Sequence, residues 1–300
     1  MITTAEMKAK EDLLRRVTNF YVETPMVANI YKAIESCRRQ RKLSEVGVSP
    51  MHQCIIGEAG VGKTRMLQRY CNRKENLPRE WTDGEGNIFT HTPVTYVITP
   101  SPFNIGALNE RILEALKAPI LTNERNEAKK RRAIDLMKDQ GTEVLVLDEI
   151  QSVGYTKGGV RAGIDNIKDM ANKGNACLIL CGLPEAADFI RPEKQYTRRH
   201  PVLQIKPYSS CDEEFVSMLN SVEEQINAPF PLKFTEMESG IPQYLFELCE
   251  GYFGILSPLI QVLFEEIGIS DDTVKLSEMK ISVRAIKQAY EARGTILKPK

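Results

Sequence analysis

Gly57-Glu58-Ala59-Gly60-Val61-Gly62-Lys63-Thr64 is the stretch of this chain whose residue types and spacing point most directly to chemistry. It follows the apolar residues Cys54-Ile55-Ile56 and leads into a segment of helical character from Arg65 onward. Gly57, Gly62, Lys63 and Thr64 fill the fixed positions of G-x-x-x-x-G-K-[ST]. In such a loop the glycines let backbone N–H groups close around phosphate oxygens, the lysine ammonium reaches the β- and γ-phosphates, and the hydroxyl takes a place on Mg2+. The helix that follows aims its positive end at the same anion. Glu58, Ala59, Gly60, Val61 and Arg65 join the cradle by position, and the expected cofactors are ATP and Mg2+.

A second group completes the chemistry. Val144-Leu145-Val146-Leu147 reads as a buried parallel strand, and it is closed by two carboxylates, Asp148 and Glu149. Open α/β sheets gather their ligands at the carboxyl ends of strands, so Asp148 is expected beside the phosphate loop, holding Mg2+ through water. Glu149 is then placed to orient or deprotonate an attacking water. Loop and carboxylates together describe a site that transfers a phosphoryl group to water.

The elements that must position these residues can be read from periodicity. Residues 1–19 form a charge-mixed helix with a narrow apolar stripe of Leu13, Leu14 and Val17, expected to be an arm or partner-docking segment. Thr24-Pro25 opens a second helix with Val27, Ile30, Tyr31 and Ile34 at helical spacing. Residues 76–92, with Pro78, Asp83-Gly84 and Glu85-Gly86-Asn87, read as a long irregular insertion. Val94–Ile98 is a strand, Leu108, Ile112, Leu113 and Leu116 stripe a helix, and a basic helix over 123–138 leads into the carboxylate strand. Gly154, Gly158, Gly159 and Gly163 suggest a flexible loop, followed by a helix and the strand 176–182. Leu203-Gln204-Ile205 is a last short strand, and the βαβα alternation predicts a parallel sheet covered on both faces. From Pro207 onward only helices are expected, over 211–226, 242–249, 257–267 and 282–292. The predicted organisation is a helical arm over 1–42, an α/β phosphate-loop core over 43–207 and a small all-helical lid over 208–300.

Composition narrows the partners. The 300 residues are 42% hydrophobic, enough for a sizeable core. No apolar run approaches the roughly 18 residues of a membrane span, and no apolar signal segment opens the sequence, so a cytoplasmic location without a membrane partner is expected. Seven scattered cysteines form no C-x-x-C pair and read as reduced core residues. Forty basic and forty acidic residues cancel, so any nucleic-acid binding must come from local clusters. Two are present, Arg38-Arg39-Gln40-Arg41-Lys42 and Lys129-Lys130-Arg131-Arg132, and each alone reads as a solvated helix face.

With both phosphate-site elements, a following strand, an arginine pair before the last strand and a helical lid, the chain resembles AAA+ ATPases. More closely, it resembles the TniB/TnsC family of transposition regulators. That resemblance rests on Tyr21-Val22-Glu23-Thr24-Pro25, on Leu147-Asp148-Glu149-Ile150-Gln151, on Cys181-Gly182-Leu183-Pro184-Glu185-Ala186 and on Gly251-Tyr252-Phe253-Gly254. It implies an ATPase that assembles as a homo-oligomeric ring or filament on double-stranded DNA, is seeded by a TniQ-like target-selection protein, and recruits transposase subunits until hydrolysis removes it. It places an arginine finger in Gln195–His200, on Arg198 or Arg199, and DNA contacts in 104–117 and 122–132, involving Asn104, Lys117, Thr122, Arg125 and Lys129. Leu183 stands where the family often has a polar sensor and Ile255 where related ATPases often have a basic one. Fewer polar groups near the γ-phosphate imply slow hydrolysis. Two other readings stand beside this one: a helicase-loading or signalling AAA+ module, and a phosphate-loop phosphotransferase.

Overall fold

The computed structural model describes residues 2–44, 51–155, 159–190 and 202–294. In chain order, α1 (Thr4–Asn19) and α2 (Pro25–Leu43) precede β1 (Gln53–Gly57) and α3 (Lys63–Cys71). Next come β2 (Arg79–Thr82), β3 (Ile88–His91), β4 (Val94–Ile98), α4 (Ile105–Ala115), α5 (Asn126–Asp139) and β5 (Val144–Asp148). They are followed by α6 (Val160–Lys173), β6 (Cys177–Gly182), α7 (Ala186–Ile190) and β7 (Val202–Ile205). Four α-helices follow among the described residues: α8 (Glu213–Ile226), α9 (Ile241–Cys249), α10 (Phe253–Glu266) and α11 (Val283–Ala292).

Contacts divide the chain into two units. One, formed by Pro25–Ala59 and Lys63–Ile205, holds a five-stranded sheet in the order β4-β5-β6-β1-β7, with every neighbouring pair parallel. β1, β5 and β6 are buried at every position, as strands covered on both faces must be. Their register sets Ile98 of β4 opposite Asp148 of β5, and Ile56 of β1 opposite Gly182 of β6. The carboxyl ends of these four strands therefore emerge along one edge of the sheet. Ile112 and Leu113 of α4, Ala133 and Met137 of α5, and Ile164 and Ile167 of α6 are buried in one core with Leu145, Leu147, Leu178 and Leu180. Each buried Ile, Leu or Met side chain contributes about 1.5–3 kcal/mol by leaving water.

The other unit is formed by Met1–Thr24, Gly60–Gly62 and Lys206–Lys300. Leu13 and Val17 of α1 share its core with Phe215 and Leu219 of α8, Leu259 and Leu263 of α10, and Ile286 of α11. The Lys10 ammonium, 4% exposed, donates to the carbonyls of Gly268, Asp271 and Val274 at 2.8, 2.6 and 3.0 Å. Asp212 caps α8 by accepting from the N–H groups of Glu214 and Phe215. Within this unit the Gly254 N–H donates to the Gly60 carbonyl at 2.7 Å.

Several sequence expectations are corrected. Segment 1–42 is not a single arm, because α1 is core in the helical unit while α2 buries Val27, Ile30, Tyr31, Ile34 and Cys37 in the α/β unit. The narrow stripe on α1 is widened by Phe20 and Val22, buried in the same core, and by the stem of Lys10. The supposed irregular insertion contains an antiparallel hairpin, β2 with β3. Its turn is closed by the Asp83 carboxylate, which accepts from the N–H groups of Glu85 and Asn87, and Trp81 stacks on Phe89 at 4.5 Å. Gly154 lies in a short 3-10 helix, Ile150–Tyr155, and Gly163 lies inside α6, where a flexible loop was expected. Gly158 lies outside the described residues. α10 starts at Phe253 and carries Pro258 in its interior, burial of Leu256, Leu259 and Ile260 outweighing the cost of the proline.

Candidate active site

The phosphate loop is the link from the buried strand β1 to α3. β1 ends at Gly57, α3 begins at Lys63, and the chain between them turns through Gly60 and Gly62 at φ 83° and 95°. Those conformations are free only to glycine. Lys63, 7% exposed, donates from Nζ to the carbonyls of Gly57 and Glu58 at 2.7 and 2.8 Å, so its ammonium is held over the loop's own backbone. Glu58, Ala59 and Gly60 are exposed, Val61, Gly62, Thr64 and Arg65 half-buried.

Asp148, the last residue of β5, is fully buried. Its Oδ2 accepts from the Thr64 hydroxyl and from the Tyr96 hydroxyl, each at 2.8 Å, and its Oδ1 from the Glu149 N–H at 2.9 Å. The loop and the carboxylate strand, far apart in sequence, thus meet in one hydrogen bond. Mg2+ takes hard oxygen ligands and keeps several waters. A threonine hydroxyl beside a buried carboxylate suits that coordination, and an ammonium over a glycine turn at a helix N-terminus suits a polyphosphate, so the residues present fit Mg2+ and ATP.

Glu149 is half-buried at φ 58°, in the left-handed region that a non-glycine residue enters at a cost of about 1–2 kcal/mol. Gln151 donates from Nε2 to Glu149 Oε2, and its Oε1 accepts from the Leu183 N–H at 3.2 Å. The carboxamide therefore ties Glu149 to the end of β6. A Cβ at Gly182 would stand 2.6 Å from the same Oε1, so glycine there makes room for this bridge. Around Asp148, burial first and the carboxylate's charge second push the Tyr96 hydroxyl well up and the Cys71 thiol up to about 12. Burial likewise raises Cys181. These groups stay protonated near neutral pH, and the thiols are inert as nucleophiles.

Tyr96 and Gln151 were not assigned roles from sequence. The alternation of β4 places Tyr96 two residues before Ile98, but only the β4–β5 pairing reveals that its hydroxyl reaches Asp148. Gln151 carries no chemical signal of its own beyond lying two residues after Glu149.

The residues expected on DNA are spread over α4, α5 and their connection. Asn104 is spent as the N-cap of α4, accepting from the Ala107 N–H at 3.1 Å. Lys117, Thr122 and Arg125 are exposed. Lys129 is not: it pairs with Glu110, leaving 12% of its side chain exposed. Lys130 pairs with Asp169 at 2.8 Å and Arg132 with Glu124 at 3.1 Å, so most of the second basic run holds helices together. Arg198 and Arg199 lie outside the described residues.

Comparison with known proteins gives the fold a family. The model of the family described as "Bacterial TniB protein" matches residues 20–210. No curated protein matches the chain. Among solved structures it is similar to the ORC2 protein of Aeropyrum pernix in ADPNP–ADP complexes, with 15% identity, 95% of this chain and 73% of that one covered, and a TM-score of 0.63. The ORC1 protein of the same organism, in complex with DNA, matches at 13% identity over 92% of this chain and 66% of that one, TM-score 0.58. A Walker-type ATPase of Pyrococcus abyssi matches at 14% identity over 91% and 72%, TM-score 0.53. These likenesses establish an AAA+ fold. Among the described residues no helix is long and apolar enough to cross a membrane.

Proposed function

The chain belongs to the TniB family of transposition-associated AAA+ ATPases, and from that premise we propose that it hydrolyses ATP slowly and uses bound ATP to assemble on duplex DNA, where it recruits transposase subunits. The observation that carries the reading is the Thr64–Asp148 hydrogen bond, which joins phosphate loop and carboxylate strand into one cation-binding corner. Lys63 would hold the β/γ-phosphates, Thr64 and Asp148 would hold Mg2+ and its waters, and Glu149 would take the proton of the attacking water. Mg2+ supplies charge neutralisation along the phosphate chain. Tyr96 fixes the Asp148 carboxylate and Gln151 fixes that of Glu149. The family resemblance implies an arginine finger on Arg198 or Arg199 that acts on the nucleotide of a neighbouring copy, which would make hydrolysis depend on assembly. Leu183, just after β6, adds no polar side chain to stabilise the transferring phosphoryl group, which keeps turnover low.

DNA binding is proposed for the exposed face carrying Lys117, Thr122 and Arg125. Because net charge is zero, contacts there are local and go to phosphates, without base readout. A DNA-bound AAA+ relative of low identity supports this reading. A TniQ-like protein seeds the assembly, as the family resemblance implies.

The test is phosphate release from ATP, with and without duplex DNA, beside a search for any phosphorylated acceptor. Phosphate release stimulated by DNA is expected. A phosphorylated small molecule would make the protein a phosphotransferase, and DNA-independent turnover would favour a signalling module. Charge reversal at Lys117 and Arg125 should lower DNA affinity and reduce the salt slope by about one per lost phosphate contact.

A further inference from the structure

The first basic run of the sequence takes no part in the site above. It ends α2 and forms one wall of a cavity of about 310 Å3 in the α/β unit. Arg38, Arg41 and Lys42 face Lys138 of α5 and His91 of β3, with Glu143 as the one carboxylate in the lining. Glu143 sits immediately before β5, whereas Asp148 ends it, so the cavity lies about 16 Å from the catalytic carboxylate at the rise of a parallel strand.

Glu143 is fully engaged. Arg38 donates to it from Nε and Lys42 pairs with it at 2.6 Å. Burial alone would push its carboxyl up, but these bonds outweigh burial and hold it below the ordinary value. Arg38 also donates to Asn76 Oδ1 at 2.8 Å, which fixes its guanidinium in the wall. Four cationic side chains, set against Glu143 in the lining and Glu35, which pairs with Arg38 at 3.4 Å, leave a concavity of net positive charge that draws anions. Burial also pulls the Arg41 guanidinium's pKa down, a cost that a nearby anion would relieve.

We propose that this cavity binds a compact oligophosphate, a di- or triphosphate group that is either free or carried on a larger molecule. Three features select that chemistry. Guanidinium groups match phosphoryl oxygens, and two arginines line the cavity, Arg41 and an Arg38 already bonded to Glu143, Glu35 and Asn76. The volume is at the low end for small-molecule pockets, which suits two or three phosphoryl groups. The excess positive charge is met by an oligophosphate's several negative charges, whereas a single carboxylate of an acidic peptide would leave most of it uncompensated. A duplex carries its phosphates on a convex ridge and does not enter such a recess.

The experiment is isothermal titration calorimetry on the full chain carrying Lys63→Ala, which disables the phosphate loop, in magnesium-free buffer. The titrants are sodium pyrophosphate, sodium triphosphate and ADP, and circular dichroism and a thermal melt confirm the fold of every variant. One binding site is expected. Adding Arg41→Gln or Lys138→Gln should each weaken it about tenfold, the loss of one charge-assisted contact. Arg284→Gln, exposed on α11 and outside the cavity, should leave it unchanged. Lys138 is exposed at the end of α5, so its variant keeps the test valid if the Arg41 variant unfolds. Tighter binding of the inorganic anions than of ADP identifies a free oligophosphate, and the reverse order identifies a carried one. Absence of binding at millimolar anion overturns the proposal, as does an affinity in both the Arg41 and Lys138 variants equal to that of the Lys63→Ala parent. It is overturned as well if a glutamate-rich peptide or a DNA duplex binds through these residues while oligophosphates do not.

Discussion

Replacing Gln151 with methionine isolates the least expected part of the active site. Methionine keeps the length and volume of the side chain but removes the donor to Glu149 Oε2 and the acceptor for the Leu183 N–H. A hydrogen bond to a charged group is worth about 1.5–3 kcal/mol, and each 1.4 kcal/mol is about tenfold in rate. The left-handed turn at Glu149 gives the backbone no compensating preference for that orientation. The kcat of Gln151→Met should therefore fall about 10- to 100-fold. Gln151 bonds to no phosphate-loop residue, so KM and the affinity for a non-hydrolysable ATP analogue should stay within about twofold, because the lost contact orients the base and binds no substrate. The assay is steady-state phosphate release over a range of ATP concentrations, with analogue binding measured separately. A parental kcat, or a loss carried entirely by KM, would refute the assignment of Gln151 as the residue that positions Glu149.

Other substitutions probe the loop, the helical unit and the acid response. Lys63→Ala should lower ATP affinity by about 100-fold, while Glu149→Gln should keep ATP affinity and lose about 100-fold in turnover, both read by nucleotide binding and phosphate release. Lys10→Met should destabilise the protein by about 2–4 kcal/mol in urea unfolding, since three carbonyls lose a charged donor at once; a change under about 0.5 kcal/mol would show that these bonds contribute nothing net. The Glu143 carboxyl, held below its ordinary value of 4.5, contributes stability that is present above that pH and is lost as pH falls through the lower folded-state value. Glu143→Gln should therefore be less stable at neutral pH and show a flatter loss of stability below about pH 4.5, measured by thermal melts across pH.

The parts of the protein legible in its sequence were those with a fixed chemical spacing. The phosphate loop announces itself because a glycine turn, a lysine and a threonine must occur at set intervals, and Asp148 because an acidic residue closes an all-apolar strand. Sheet order was not legible, since β1 pairs with β6 and β7 across long stretches of chain and no local pattern encodes those partners. Tyr96 and Gln151 were missed for the same reason, as each acts only through a neighbour that tertiary structure supplies. The basic run 129–132 reads alone as a solvated helix face, and the structure shows most of it paired with acids. Lys129, Lys130 and Arg132 are held by Glu110, Asp169 and Glu124; the folded arrangement of α4, α5 and α6 brings Glu110 and Asp169 within reach, and Glu124 lies in the connection just before α5. Segment 1–19 reads as an arm or partner-docking segment because its stripe is narrow, whereas the docking of Leu13 and Val17 depends on helices two hundred residues away.

The central claim, that bound ATP drives assembly on DNA, is tested most directly by electron microscopy of the full chain mixed with duplex DNA in the presence and absence of a non-hydrolysable ATP analogue. Rings or filaments on DNA are expected with the analogue, and they should be absent without it and absent in Lys63→Ala. Isolated monomers under all conditions, or equal coating of DNA with and without nucleotide, would contradict the account.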